Sequence, residues 1–128
     1  MLDYVTCRLA DLDPIPEDER DDMVGAYYRR LTSSDRAERI QAARAWSMWE
    51  GSTSRLVPDP KLIERTGDEA FAEAFARIEC HYFINGGFFQ EDNHLLQHID
   101  RIKHIPAVIV QGRYDIVCPP ESAYQLHQ

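Results

Sequence analysis

The segment of greatest chemical interest runs from Gly112 to Pro119, with the sequence Gly-Arg-Tyr-Asp-Ile-Val-Cys-Pro. Asp115 follows a short apolar stretch that is typical of a buried strand. A carboxylate held at the end of a strand can orient an imidazole for proton transfer. The alternative is that Asp115 only forms a turn or caps a helix, as aspartates often do in loops.

Two glutamates lie among aromatic side chains on predicted helices. Glu79 has Phe75 and Tyr82 as helical neighbours, and Glu50 follows Trp46 by one turn. A carboxylate in such surroundings loses hydration unless a cation meets it. The pair could therefore form a cage for a small cation such as an α-ammonium group. Two alternatives stay open: ordinary glutamates that reach water, or an acid and base for sugar chemistry.

His94 and His98 lie four residues apart, a spacing that can chelate zinc from one helix face. The His-Glu-x-x-His pattern and an evident third ligand are lacking, so we expect a solvated helix face, with no metal and no other cofactor. Cys118 neighbours Asp115, and we expect a packed thiol near the site because no partner base is identifiable. The sequence contains no Gly-x-Ser-x-Gly motif, phosphate-binding glycine loop or dinucleotide fingerprint.

Apolar residues recur at helical spacing over most of the chain before Ile105. The pattern predicts helices over residues 17–31, between Asp35 and Gly51, between Asp68 and Gly86, and from residue 91 onwards, with an irregular connection over 52–66. The third helix is expected to bury the face with Phe71, Phe75, Ile78 and Tyr82.

The pattern changes at Ile105. Residues 106–112 form an unbroken apolar run closed by glycine, which is typical of a parallel strand buried on both faces, and another helix is predicted to start at Glu121. A lone parallel strand would leave its backbone groups unsatisfied. We therefore interpret the fold class as α/β, with the chain a fragment of a larger protein: a helical part, one strand, a loop and the start of a helix.

Composition limits the partners. The 128 residues include 22 acidic and 14 basic side chains, and the net charge of -8 disfavours nucleic acid and anionic membrane surfaces. No apolar run approaches the roughly 20 residues that span a bilayer, and the N-terminus lacks signal-peptide features. The dispersed cysteines, Cys7, Cys80 and Cys118, suggest reduced thiols in a cytoplasm. The sequence does not determine the oligomeric state.

Several stretches of the chain match a known family in the correct order. They are Ala45–Gly51, Ala74–Glu79 with His81–Phe83, Asn85–Phe89, and Val110–Asp115 with Val117–Pro119. From about Leu12 to Gln128 the chain resembles bacterial proline iminopeptidases (prolyl aminopeptidases), which are serine peptidases of the α/β-hydrolase fold. Residues 1–10 do not match the family at that place.

The resemblance implies a domain arrangement and roles for three residues. Residues 1–14 would be an unmatched segment, 15–104 the helical lid or cap, and 105–128 part of the hydrolase core. Asp115 would be the acid of a Ser-Asp-His triad, and Glu50 and Glu79 would bind the free amino end of a peptide's N-terminal proline. The family's serine and histidine lie outside this stretch, so we expect the isolated chain to be inactive.

Two other functions remain under consideration. The chain could be a non-catalytic module that retains the lid's amine cage. It could also be a fragment of another α/β-hydrolase with a helical lid, such as an esterase or an epoxide hydrolase. Those enzymes have no particular need for the Glu50 and Glu79 pair.

Overall fold

The structure, a computed structural model, describes residues 14–91, 93–115 and 117–128. Its α-helices are α1 (Met23–Leu31), α2 (Arg36–Thr53), α3 (Pro60–Thr66), α4 (Glu69–Ile84), α5 (His94–Gln97) and α6 (Pro120–His127). Short 3-10 helices occupy Glu17–Asp22, Gly86–Phe88 and Ile99–Arg101. The chain divides between Gly87 and Phe88 into two compact units, and each is described by itself. The lid boundary expected at residues 104 and 105 stays a prediction.

Aspartates begin the helices of the first unit, as their sequence positions predict. Asp35 Oδ1 accepts a hydrogen bond from the Ala37 amide at 2.8 Å, and Asp68 Oδ1 accepts one from the Phe71 amide at 3.1 Å. These bonds satisfy amides that have no partner within the helix. The predictions of α2 and α4 are confirmed, and the predicted first helix is a 3-10 turn followed by α1.

The irregular connection predicted over residues 52–66 is wrong in its second half, where α3 forms. Asp59 caps this helix by accepting from the Lys61 and Leu62 amides, and Pro60 occupies its first turn. Proline is well tolerated there because that position has no intrahelical amide bond to lose. In the sequence pattern Pro58 and Pro60 favour an irregular connection, but Pro60 is part of a helix start.

The core of the first unit lies where α4 packs on α1 and α2, and α3 packs on α2. Small side chains dominate it: the buried cluster comprises Ile15, Ala26, Tyr27, Leu31, Ala42, Ala43, Ala45, Trp46, Ala72, Ala76 and Cys80. Alanine lets helix backbones approach closely, since its side chain adds little to the distance between helix axes. The packing thus depends on close backbone approach more than on large side chains.

The buried face predicted for α4 is wrong. Ala72, Ala76 and Cys80 are fully buried, whereas Ile78 and Tyr82 are 62% and 53% exposed. Phe71 is also exposed, and Phe75 is partly buried against the core. The stripe of small residues lies beside the aromatic stripe on the same helix, and only the small residues permit the close contact with α1 and α2.

Residues 106–112 do not form the predicted strand. Across the described ranges all regular secondary structure is helical, so the expectation of an α/β fold is not met within them. The side chains of Val108 and Val110 are 89% and 90% exposed. The physical reason is that a strand needs neighbouring strands to pair its amides and carbonyls, and the described residues supply none.

The rest of the second unit consists of short helices and turns. The predicted fourth helix is shorter than expected: α5 covers one turn and the 3-10 helix Ile99–Arg101 follows it. The helix predicted from Glu121 is confirmed as α6. No helix in the described ranges is both long and apolar enough to cross a membrane.

We predict that Ala76→Leu destabilises the first unit by about 1–3 kcal/mol, the usual cost of forcing extra methylenes into a packed core. Ala74→Leu, an exposed site on the same helix, is the matched control and should leave stability nearly unchanged. Urea unfolding followed by circular dichroism measures both. Equal effects of the two substitutions would show that the stripe of small residues does not form the helix contact.

Candidate functional site

Glu79 is held by a hydrogen bond between two helices. The indole Nε1 of Trp46, on α2, donates to Glu79 Oε2, on α4, at 2.7 Å. Trp46 is only 8% exposed, and its ring makes a T-shaped contact with Tyr27 of α1 at a centroid distance of 5.1 Å. The ring of Phe83, one turn after Glu79, lies at a centroid distance of 5.9 Å from the indole. The position of the carboxylate is therefore tied to the packed core.

Glu50 lies one turn after Trp46 on α2 and is half-buried. Burial raises the pKa of Glu50, and the negative charge of Glu79 raises it further. Next to it, Gly51 permits the close approach of α3, since a Cβ there would come within 2.5 Å of Thr66 Oγ1. The structure thus brings the two predicted glutamates close enough to repel each other.

Neither glutamate has a basic partner among the ion pairs of the described residues. Trp46 donates a hydrogen bond but brings no positive charge, so it leaves the negative charge in place. Two half-buried carboxylates without a cation form a region of negative potential beside aromatic rings. Chemically, such an arrangement is suited to a small cation with several N–H donors.

Asp115 lies in the second unit, in a tightly bonded loop. Its Oδ1 accepts from the amides of Val117 at 3.1 Å and Cys118 at 2.8 Å, and its Oδ2 accepts from Gln111 Nε2 at 3.2 Å. Gln111 Nε2 also donates to the Cys118 carbonyl at 2.7 Å. The turn-forming role considered for Asp115 is therefore observed, and the same bonds fix the direction of its carboxylate.

The packed environment expected for Cys118 is not found, since this residue is exposed and its thiol is free. A loop closed by backbone amides and Gln111 does not need the sulfur to fill space. The rings of His94 and His98 lie at a centroid distance of 4.3 Å and are tilted by 31°, and His94 stacks on Phe89 at 5.1 Å. Within the described part of the chain, no group of three or more potential metal ligands is found.

Sequence reasoning missed Trp46 and Gln111 as partners of the candidate residues. Trp46 could have been found, because a buried indole N–H normally requires an acceptor and Glu79 is a carboxylate among aromatic residues. Nothing in the sequence pattern indicates that Gln111 is a partner of Asp115. Its amide lies in an apolar run, and its contact with Asp115 depends on how the loop closes.

Comparison with known proteins identifies relatives of the chain. It is 66% identical over 117 residues to a probable proline iminopeptidase of Leptolyngbya boryana, covering 91% of this chain and 36% of that protein. The chain is related to the proline iminopeptidases. The proline iminopeptidases of Xanthomonas citri (55% identical, 37% of its length) and Arabidopsis thaliana (50% identical, 31% of its length) also match over 117 residues and 91% of this chain.

The chain spans about a third of the length of the curated relatives that it matches. No family model matches it. The resemblance to proline iminopeptidases predicted from about Leu12 to Gln128 is confirmed by these relatives, which match about nine tenths of the chain.

We predict that Glu50→Gln raises the midpoint of thermal unfolding at pH 7, because it removes a half-buried charge that Glu79 repels. The gain should shrink as the pH falls through the raised folded pKa of Glu50 towards its ordinary value of 4.5, since the natural carboxyl then becomes neutral as well. Differential scanning calorimetry between pH 4 and pH 7 measures the effect. Glu64→Gln, at an exposed site on α3, is the control, and a gain that does not vary with pH would contradict the assignment.

Proposed function

We propose that this chain provides the substrate-amine site and the catalytic acid of a prolyl aminopeptidase, which releases N-terminal proline from peptides. The observation that supports the proposal most is that Trp46 of α2 bonds Glu79 of α4 one turn from Glu50, and that neither glutamate has a basic partner in the described residues. The identity of 50–66% to proline iminopeptidases over nine tenths of the chain agrees with it.

The chemistry of an N-terminal proline matches a pair of carboxylates. Its protonated secondary amine has one positive charge and two N–H donors, so Glu50 and Glu79 can each accept one hydrogen bond. Binding would also relieve the repulsion between the two carboxylates. An acylated or internal proline nitrogen has neither the charge nor the donors, so the site would select substrates with a free amino end.

Asp115 would orient the catalytic histidine. A serine oxygen attacks the carbonyl carbon after the proline, while the histidine takes the serine proton and passes it to the departing amine. Water then hydrolyses the prolyl ester and regenerates the serine. The bonds from Val117, Cys118 and Gln111 hold the carboxylate of Asp115 in one direction, which an orienting acid requires. The serine and histidine are family features outside the matched stretch.

The proposal includes the α/β-hydrolase fold, with residues 15–104 as the lid and 105–128 as part of the core. In the complete sheet, residues 106–112 would pair with neighbouring strands and cover Val108 and Val110. The end of that strand would then present Asp115 at the sheet edge where α/β proteins place their ligands.

A cytoplasmic location belongs to the same proposal. Cys80 and Cys118 are free thiols, and Cys7 lies outside the described residues. Burial raises the pKa of Cys80 to about 11, so its thiol stays protonated and unreactive at neutral pH.

A chimera tests the assignment. We predict that residues 12–128, placed into the matching region of the Xanthomonas citri enzyme, support hydrolysis of prolyl p-nitroanilide. Asp115→Asn should lower kcat by about 10⁴-fold, because the histidine is then held in the wrong tautomer. Glu50→Gln and Glu79→Gln should each lower kcat/KM at least tenfold, since each replaces a carboxylate by a neutral amide and removes a negative charge that faces the charged amine, a loss worth roughly 2 kcal/mol or more. Glu64→Gln is the control.

Each outcome separates the functions considered. A chimera that keeps its kcat/KM after both glutamates are replaced would favour another α/β-hydrolase. If Asp115→Asn leaves the kcat of the chimera unchanged while both glutamate substitutions lower kcat/KM, the lid binds the amine but this loop does not supply the catalytic acid.

The isolated 128-residue chain provides a further test. We predict no turnover of prolyl p-nitroanilide, because Asp115 orients a histidine and does not itself attack the substrate. Turnover that a serine-directed inhibitor abolishes would contradict this prediction.

A further inference from the structure

The two carboxylate oxygens of Glu79 differ in their hydrogen bonding. Oε2 accepts from the indole Nε1 at 2.7 Å, while Oε1 accepts no hydrogen bond from the described part of the chain. Tryptophan has a single polar donor and no charge. It can therefore hold one oxygen in place without neutralising the carboxylate, which an arginine in the same position would do.

The indole itself is packed against two aromatic rings. Tyr27 makes a T-shaped contact at a centroid distance of 5.1 Å with an interplanar angle of 78°, and Phe83 lies at 5.9 Å with an angle of 41°. Because Trp46 is only 8% exposed, its N–H would lose its acceptor in the protein if Glu79 moved away. This cost restrains Glu79 in its observed position.

The position of Trp46 on α2 links this restraint to the second carboxylate. Trp46 and Glu50 are four residues apart on one helix, so their side chains lie on the same face. A bond from Trp46 to Glu79 thus holds one oxygen of Glu79 beside the helix face that carries Glu50. Burial raises the pKa of Glu50 and the charge of Glu79 raises it further, so without that bond the repulsion between the two carboxylates would favour a rotamer of Glu79 that points away.

We propose that Trp46 is the positioning residue of the amine site, holding one oxygen of Glu79 so that the other faces a substrate ammonium shared with Glu50. The inference rests on the function proposed above for the glutamate pair. It adds a residue that acts through Glu79 and does not itself contact the reacting atoms.

The test uses the full 128-residue chain, labelled with ¹⁵N at the tryptophan indoles, and L-prolinamide as the probe. Trp46→Phe keeps an aromatic ring but removes the N–H, and should weaken prolinamide binding about tenfold, the loss expected for a hydrogen bond to a charged group. Trp49→Phe, at the more exposed tryptophan of α2, is the matched control and should leave the affinity unchanged. N-acetylprolinamide, which has no ammonium, should bind to neither form.

A second measurement covers the case in which Trp46→Phe fails to fold. In the unmodified chain, the Trp46 indole resonance should shift with prolinamide along the binding curve, and Glu79→Gln should move it before any ligand is added. The Trp49 resonance should respond to neither change. A Trp46 resonance that stays fixed under both changes would overturn the inference.

The two proposals fail in different ways. If the unmodified chain binds prolinamide and Trp46→Phe binds it equally well, the positioning role is wrong and the glutamate site stands. If the unmodified chain binds no prolinamide, the amine site fails and the positioning role fails with it. A merely structural role of Trp46 would lower the unfolding temperature of Trp46→Phe without changing its affinity, which would also overturn the inference.

Discussion

The close approach of α2 and α4 is the constraint on which the candidate site depends. Alanines on both helices and Cys80 on α4 keep the separation of the backbones small. At that separation the Trp46 indole donates a hydrogen bond directly to Glu79. The negative charge of Glu79 then adds to the effect of burial in raising the pKa of Glu50. Larger residues in the contact would move one helix outward and break the hydrogen bond. The Trp46–Glu79 hydrogen bond and the repulsion between the two glutamates thus depend on the small size of the core residues between α2 and α4.

Helix boundaries could be predicted where a side chain makes a local bond. Asp35 and Asp68 cap their helices through amides two or three residues away, so the sequence pattern contains all the information needed. The end of α4 is equally local, since Gly86 and Gly87 adopt positive φ angles of 56° and 64° that glycine accepts without strain. Helix α3 was not predicted because a proline that breaks a helix and one that begins it differ only by the preceding cap, here Asp59.

Packing could not be predicted from periodicity alone. Helix α4 has two apolar stripes, and hydrophobicity favours the one with Phe71, Ile78 and Tyr82. The choice between the stripes depends on which one lets the backbones approach, and that is a property of the partner helices. The glutamate pair was found because its charges stand out against aromatic neighbours, whereas the bond from Gln111 to Asp115 depends on loop closure. Residues 106–112 have the composition of a strand, but a strand forms only by pairing with another, and the described ranges contain none.

Exposure of Val108 and Val110 has a consequence for how the polypeptide behaves in solution. An uncharged apolar stretch with unpaired backbone groups is a template on which the same stretch of another molecule can align, edge to edge. Within the helices of the first unit most amides are already bonded to carbonyls of the same helix, so they offer no such template. A charge introduced between Val108 and Val110 would oppose this self-association.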